Sequence, residues 1–344
     1  MWACYGACPV EWETEIVSVP AGRSVNWLEV VHEWGGRVDK SGGVAFEVVC
    51  VVVHYRDVQA TFEAVRSLVE DSPGITRRVL VHENSRIGDD WRRRFEELNC
   101  VEVIGTGDNV GFAYAVNRCI EFARTYSPTY IWMVNNDAIV ENGCLAHLVA
   151  EMRDHRDTGL ISPTIMNAYT GDTWFAGGVV DTRTWVTRHD AVEATGAKYI
   201  TGCAMFVRMR VLEEIGLMDE SYWMYYEDVD LSIRASRRGW HLRVSSVAKA
   251  HHRISMGSDG DGDFMRYWYA RNSILISKKF GTYGSVLSVV FLQAKRSLTN
   301  SISHFVLGRP RPWKGQLRGT IAGCMTIPWH APVPGDLSTE QFEA

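Results

Sequence analysis

The chain of 344 residues lacks a basic excess, a long apolar run and a paired-cysteine framework. With 36 Lys+Arg against 41 Asp+Glu its formal net charge is −5. General nucleic-acid binding calls for a strongly basic face, so nucleic acid is excluded as a partner class. Only 10 Pro, with 46% hydrophobic residues, exclude wholesale disorder. No stretch supplies the roughly 20 apolar residues of a membrane span; the best, Gly284 to Ala294, runs straight into Lys295 and Arg296. The opening MWACYGACPVEWETE has neither a basic nor an apolar signal region, so no secretory signal is expected and the expected location is cytoplasmic. Of eight cysteines only Cys4 and Cys8 are close together, and no second pair completes a zinc spacing. Cys50 and Cys203 sit in apolar runs, where a thiol behaves as a small hydrophobe, so reduced structural thiols are expected.

What is present is an alternation of strand and helix patterns. Residues 1–45 are mixed in character, end in Gly42-Gly43 and read as an N-terminal extension. From Phe46 to Val53 runs a β-branched stretch typical of a strand buried on both faces. A helical spacing follows over Val58–Glu70, then a Ser72-Pro73-Gly74 turn and a strand Arg78–Val81. The pattern continues with helix Asp90–Leu98, strand Val101–Ile104, helix Gly111–Thr125 and strand Tyr130–Val134. Such alternation predicts βαβ units and an α/β fold with a mostly parallel sheet flanked by helices. Ligands of these sheets bind beyond the carboxyl ends of the strands.

The strand ends carry His54-Tyr55-Arg56-Asp57, His82-Glu83-Asn84-Ser85 and Asn135-Asn136-Asp137. Singly, such residues are ordinary turn and cap formers; together they bring an aromatic, acids and amides to one edge. Further on, Tyr222-Trp223-Met224-Tyr225-Tyr226 precedes Glu227, Asp228 and Asp230. Acids at a helix start complement its dipole, but the aromatics suit a sugar ring, and acids beside aromatics have raised pKa values fit for a general base. At His251-His252 the alternation of a strand lets at most one imidazole face a shared site.

Five ordered segments resemble family 2 glycosyltransferases of the GT-A fold, rhamnosyltransferase-like branch. They are Val51-VVHYRD, Val81-HENS, Asp108-NVGFAYAVNRCI, Val134-NNDAIVENGCL, and Tyr199-ITGCAMFVR with Glu214-IGLMDESYWMYYEDVDLSIRASRRGW. Trp174-FAGG and Tyr269-ARN are smaller echoes. The resemblance spans about Val48 to Phe280 and implies a domain over 46–280, with a nucleotide-sugar half (46–137) and an acceptor and catalytic half (138–280). It implies an inverting transfer from a nucleoside-diphosphate sugar, dTDP-rhamnose or a UDP-hexose, to an acceptor hydroxyl. Residue by residue, it implies Tyr55, Glu83, Asn109, Gly111 and Asn136 at the nucleotide and Gly202, Trp223 and Glu227 at the acceptor or sugar. It implies Asp228 as general base, with Asp137 and His252 (His251 being the alternative) holding Mn²⁺ or Mg²⁺. The chain departs from the family pattern at His82, Glu83 and Arg56, and Asp137 is the only acid of its motif. A catalytically silent nucleotide-sugar-binding module and a nucleotidyltransferase are the rival readings. The tail, 281–344, has helix-like apolar segments with Lys295, Arg296, Arg309, Arg311, Lys314 and Arg318. Core packing and a homodimer contact are its preferred readings, and a peripheral membrane element is the third.

Overall fold

The computed structural model of the chain describes residues 37–38, 44–98, 100–189, 197–254, 262–306 and 313–326. Cys4, Cys8 and almost all of the expected N-terminal extension lie outside the described residues, save a two-residue hairpin pair, β1 (Arg37–Val38) and β2 (Val44–Ala45).

The central strand β3 (Val48–His54) is buried along its whole length. Val48, Cys50 and Val52 pack into one core and Val49, Val51 and Val53 into another, because successive side chains leave opposite faces of the sheet. Burying a valine fully contributes about 1.5–3 kcal/mol, so this one strand anchors both layers. Helix α1 (Val58–Glu70) starts where the Asp57 carboxylate accepts the Ala60 N–H at 2.9 Å. It buries Ala60, Ala64, Val65 and Leu68, one face at helical spacing. β4 (Arg77–Glu83), α2 (Asp89–Glu96), β5 (Val101–Ile104), α3 (Phe112–Ala123) and β6 (Tyr130–Asn135) complete a four-stranded parallel half ordered β5-β4-β3-β6.

The second half is mixed. After β7 (Ala138–Val140), α4 (Cys144–Asp154) and β8 (Thr158–Asn167) come three short strands, β9 (Thr173–Phe175), β10 (Gly178–Asp181) and β11 (Val186–Arg188). β12 (Ala197–Tyr199) joins β10 and β11 in a small separate sheet. β13 (Ala204–Arg208) inserts antiparallel between β6 and β8, and the long β14 (His241–His252) runs parallel to β8, antiparallel to β7. Helices α5 (Met209–Ile215) and α6 (Glu227–Arg237) lie between β13 and β14.

Three helices end the described chain: α7 (Asp263–Phe280), α8 (Tyr283–Phe305) and α9 (Trp313–Met325). α9 lies against α7 through Gly315, Gly319 and Gly323. A Cβ at Gly315 or Gly319 would overlap the Asp263 or Tyr267 carbonyl, and one at Gly323 would sit 2.8 Å from the Arg271 oxygen. α7 is fastened to α6 by charge: Lys279 Nζ lies 2.8 Å from Asp219 and 2.6 Å from Asp230, and Asp230 accepts from Arg234 Nε at 2.6 Å. Lys279 thus extends the i, i+4 pair of Asp230 and Arg234. Among the described residues no helix is long and apolar enough to cross a membrane.

Candidate functional site

A cavity of about 670 Å³ opens beyond the carboxyl ends of β3, β4 and β6 and is closed on the far side by the 224–229 segment and α7. Tyr55, Asn84, Asn109 and Asn136 are among its lining residues. Asn84 is a hub: its Nδ2 donates to Asn109 Oδ1 (3.2 Å) and Gly111 O (3.4 Å), and its Oδ1 accepts the Val110 N–H (3.2 Å). Asn136 Nδ2 donates to the Tyr55 carbonyl (3.3 Å) and to Thr61 Oγ1 (3.1 Å), tying β6 to the end of β3. His54 is buried between Thr61 (2.7 Å) and Ser85 (3.2 Å), and burial holds its pKa below the usual imidazole value.

Two residues expected at the nucleotide stand apart from this lining. Glu83 is buried at the end of β4, where its carboxylate accepts the Ile87 N–H (2.7 Å) and pairs with Arg92; its neighbour Asn84 faces the cavity instead. Gly111, in the left-handed region (φ 88°), admits the Trp223 indole, since a Cβ there would lie 2.5 Å from Trp223 Cδ1. Trp223 is thereby taken up in packing: it stacks on Trp268 at 5.0 Å, and its carbonyl accepts the Phe112 N–H at 2.7 Å. It does not line the cavity, whose aromatic wall is made by Tyr199, Tyr225, Tyr226 and Tyr269. Burial, the largest cause in each, keeps the hydroxyls of Tyr199 and Tyr269 protonated.

On the cavity wall Asp137 Oδ1 lies 3.1 Å from His252 Nε2. Burial alone would lower the proton affinity of the His252 imidazole. The Cys203 sulfur and the Asp137 carboxylate outweigh it and hold its pKa up at about 10. His252 Nδ1 is buried without a hydrogen-bond partner, and the ring packs edge-on against Trp174 at 4.9 Å. His251 points the other way, to Glu141 at 2.7 Å, as strand alternation requires. Among the described residues no cluster of three or more His, Cys, Asp or Glu is placed to hold a metal by itself.

Opposite, at the start of α6, Asp228 lines the cavity with Gly202 and Glu227. Asp228 accepts the Gly202 N–H on Oδ2 (2.9 Å) and the Val229 N–H on Oδ1 (2.8 Å). Burial raises the Asp228 pKa, and these amides oppose the rise. Glu227 is buried with Oε2 unpartnered; burial and the Asp228 charge beside it push its pKa well above the usual carboxylate value. The amides that hold Asp228 favour its ionised form over that of Glu227, which has no such donors on Oε2.

The segment leading into this acid pair is bent, with Trp223, Tyr225 and Tyr226 at φ 48°, 67° and 74°, a region bulky residues rarely enter. Asn272 on α7 holds it there. Its Nδ2 donates to the carbonyls of Tyr222 (3.0 Å), Met224 (2.8 Å) and Tyr225 (2.8 Å). Asn272 belongs to the Tyr269-ARN echo, where the sequence gives it no role. Asn84, Trp174 and His189 also line the cavity without having been singled out as site residues. The signal for Asn84 is its place one residue beyond Glu83; His189 carries none.

Residues 49–216 match the profile described as "Glycosyl transferase family 2". The chain is 27% identical to the N-acetylglucosaminyl-diphospho-decaprenol L-rhamnosyltransferase of Mycobacterium tuberculosis, the match covering 46% of this chain and 61% of the relative. The chain thus spans about 61% of the length of the curated relatives it matches. Among solved structures it resembles GalNAc-T7 with UDP, GalNAc and Mn²⁺ (TM-score 0.52, 13% identity, 80% of this chain and 54% of that one). It also resembles the mannosyltransferase PcManGT of Pyrobaculum calidifontis with GDP-Man and Mn²⁺ (TM-score 0.51, 13% identity, 87% and 92%). At that identity the likeness is one of fold. Residues 49–216 therefore belong to glycosyltransferase family 2, on the GT-A scaffold these structures share, and the chain is similar to the rhamnosyltransferases of that family.

Proposed function

We propose that the protein is an inverting glycosyltransferase that moves a sugar, rhamnose or a related hexose, from a dTDP- or UDP-linked donor to an acceptor hydroxyl. The observation that carries this reading is a single cavity lined by Tyr55 with the amides Asn84, Asn109 and Asn136, by the Asp137–His252 pair and by an amide-held carboxylate, Asp228. The nucleotide base would lie against Tyr55, Asn84 and Asn109, with Asn136 beside the diphosphate. Glu83, next to Asn84 at the end of β4, is proposed for the base imide, its carboxylate held by the Ile87 N–H and Arg92.

Asp137 and His252 would fit Mn²⁺ or Mg²⁺ as one oxygen and one nitrogen donor in contact, with the cation displacing the proton that His252 holds beside Asp137, provided the donor's phosphate oxygens fill the remaining positions. A bound cation would offset the charge building on the leaving nucleoside diphosphate. Asp228 takes the acceptor proton as the hydroxyl attacks the anomeric carbon from the face opposite the nucleotide, which inverts the configuration. Glu227, protonated, donates to an acceptor oxygen, and Gly202 leaves that side of the cavity open, its missing side chain being 3.5 Å from Asp228 Cβ. General-base help is worth about 10²–10⁴-fold. Asp228→Asn should therefore lose about 10²-fold or more in turnover while donor affinity holds, read as nucleoside diphosphate released with and without Mn²⁺. Near-normal turnover in this variant would remove Asp228 as the base.

A further inference from the structure

Helices α8 and α9 are built inside out. The residues α8 buries are Ser285, Val289, Gln293 and Ser297, and those of α9 are Gly315, Gln316, Gly319, Thr320 and Gly323. These small and polar side chains lock to one another and to α7: Gln293 Nε2 donates to Ser273 Oγ (2.8 Å), and Gln316 Nε2 donates to Gln293 Oε1 (2.7 Å). The outward face of α8, at spacings of 3, 4 and 7, is Leu287, Phe291, Leu298, Ile302 and Phe305, with Phe291 72% exposed. On α9 the outward face is Lys314, Leu317, Arg318, Ile321 and Met325.

Exposed apolar side chains scattered singly need no explanation, but two adjacent helices that hide polar groups and show apolar ones do. Packing through small and hydrogen-bonding residues is the solution helices adopt when their surroundings are apolar. Charge selects among apolar surroundings. From Tyr283 to Met325 the chain has six Lys/Arg and not one of its 41 Asp/Glu. Lys295, Lys314 and Arg318 are exposed. A second copy of this chain, acidic overall, would have to set this cationic strip against itself in a two-fold contact, whereas an anionic lipid surface matches both its faces.

We infer that α8 and α9 lie in the interface of an anionic membrane, apolar faces in the acyl boundary and lysines and arginines at the head groups. The helices lie along the surface and do not span it. The docking would set the reaction cavity beside that surface. A smaller cavity of about 200 Å³ lined by Arg266, Gln293, Arg296 and Gln316 shares Met265 and Tyr269 with the large one and lies between α7, α8 and α9. The inference stands independently of sugar transfer.

The test is flotation of the full chain with vesicles of phosphatidylglycerol and phosphatidylcholine, and with phosphatidylcholine alone. The protein should float with the anionic vesicles, and less as salt rises. The triple variant Leu287→Ser/Phe291→Ser/Ile302→Ser should bind on the order of tenfold or more weaker, since each lost apolar side chain removes part of the insertion energy. Lys295→Glu/Arg318→Glu should abolish the preference for anionic lipid. Phe291→Ser alone, which touches no core contact, keeps the test decisive if the triple variant unfolds, and nucleoside diphosphate release from the donor in lipid-free solution should be unchanged in it. Absence of wild-type flotation with anionic vesicles, or undiminished flotation of Phe291→Ser, overturns the inference. A wild-type dimer in sedimentation equilibrium that the same serines dissociate, without vesicle binding, assigns the face to a second copy and overturns it equally.

Discussion

Asn272 offers the sharpest trial of how the acid pair is held in place. It is fully buried and its one amide nitrogen serves three carbonyls of the 222–225 segment. That segment and the residue after it, Tyr226, contain three bulky residues at positive φ, each costing about 1–3 kcal/mol and persisting only where its surroundings hold it. Asn272→Ala leaves these carbonyls without their donor; at about 1–3 kcal/mol for a buried group left unpaired, and with two N–H groups lost, the cost is about 2–6 kcal/mol. For a domain of this size that lowers the melting temperature by roughly 4–24 °C. Asn272→Asp keeps the shape but sets a carboxylate against three carbonyl oxygens, so it should be the worse of the two. Because Tyr225, Tyr226 and Glu227 follow directly, both variants should also lose turnover, about 10²-fold for a shift of ~1 Å. Donor KM should change less than turnover, since Asn84 and Asn109 keep their hydrogen bond to each other. Thermal melts and steady-state nucleotide release on the same preparations decide it. If Asn272→Asp melts with the wild type and turns over normally, the segment holds its own shape and the positioning role is refuted.

Asp137→Ala should abolish metal-dependent activity, whereas His252→Ala should weaken it and shift the preference between Mn²⁺ and Mg²⁺; full activity of Asp137→Ala in a chelator would refute the cation site. Calorimetry should find UDP and dTDP bound better than CDP, which lacks the imide proton, with Glu83→Gln milder than Glu83→Ala; equal wild-type affinities would take Glu83 out of recognition. Glu227 titrates above the usual carboxylate value in the folded chain, so its contribution is fully present below about pH 4.3 and is lost as pH rises through the raised value. Glu227→Gln escapes that loss, so its stability relative to wild type in urea should grow with pH, and a pH-independent difference would contradict the burial argument.

The parallel half of the sheet is legible in the sequence because its strands are unbroken β-branched runs and its helices carry one clean apolar face. Helix Val58–Glu70 and strand Val101–Ile104 are found at the ends expected for them. The mixed half is less legible. Strands of three or four residues around Trp174 and His189 give no usable periodicity, and the antiparallel insertion of β13 is a matter of long-range pairing. At the site, motif positions lead to the cavity for Tyr55, Asn109, Asn136, Asp137, Gly202, Glu227, Asp228 and His252. Trp223 departs because the bare face of Gly111, 112 residues away in sequence, accepts its indole. The polarity of α8 misleads a reader who assumes that apolar residues point inward.

Lys279 has a consequence for where this polypeptide can be divided. The sheet ends with His252, and a fragment cut there would look complete on a topology diagram. Yet the ammonium that neutralises Asp219 and Asp230 arrives from the last turn of α7, and those carboxylates have side-chain exposures of only 3% and 0%. Removing it leaves the buried Asp219 carboxylate without a cation and Asp230 with Arg234 alone, a loss of about 3–5 kcal/mol, directly behind the helix that presents Asp228. The shortest piece able to keep its acid pair in register therefore extends through Lys279, and α7 is a buttress of the half that carries Asp228, which the tail later borrows as its packing rail.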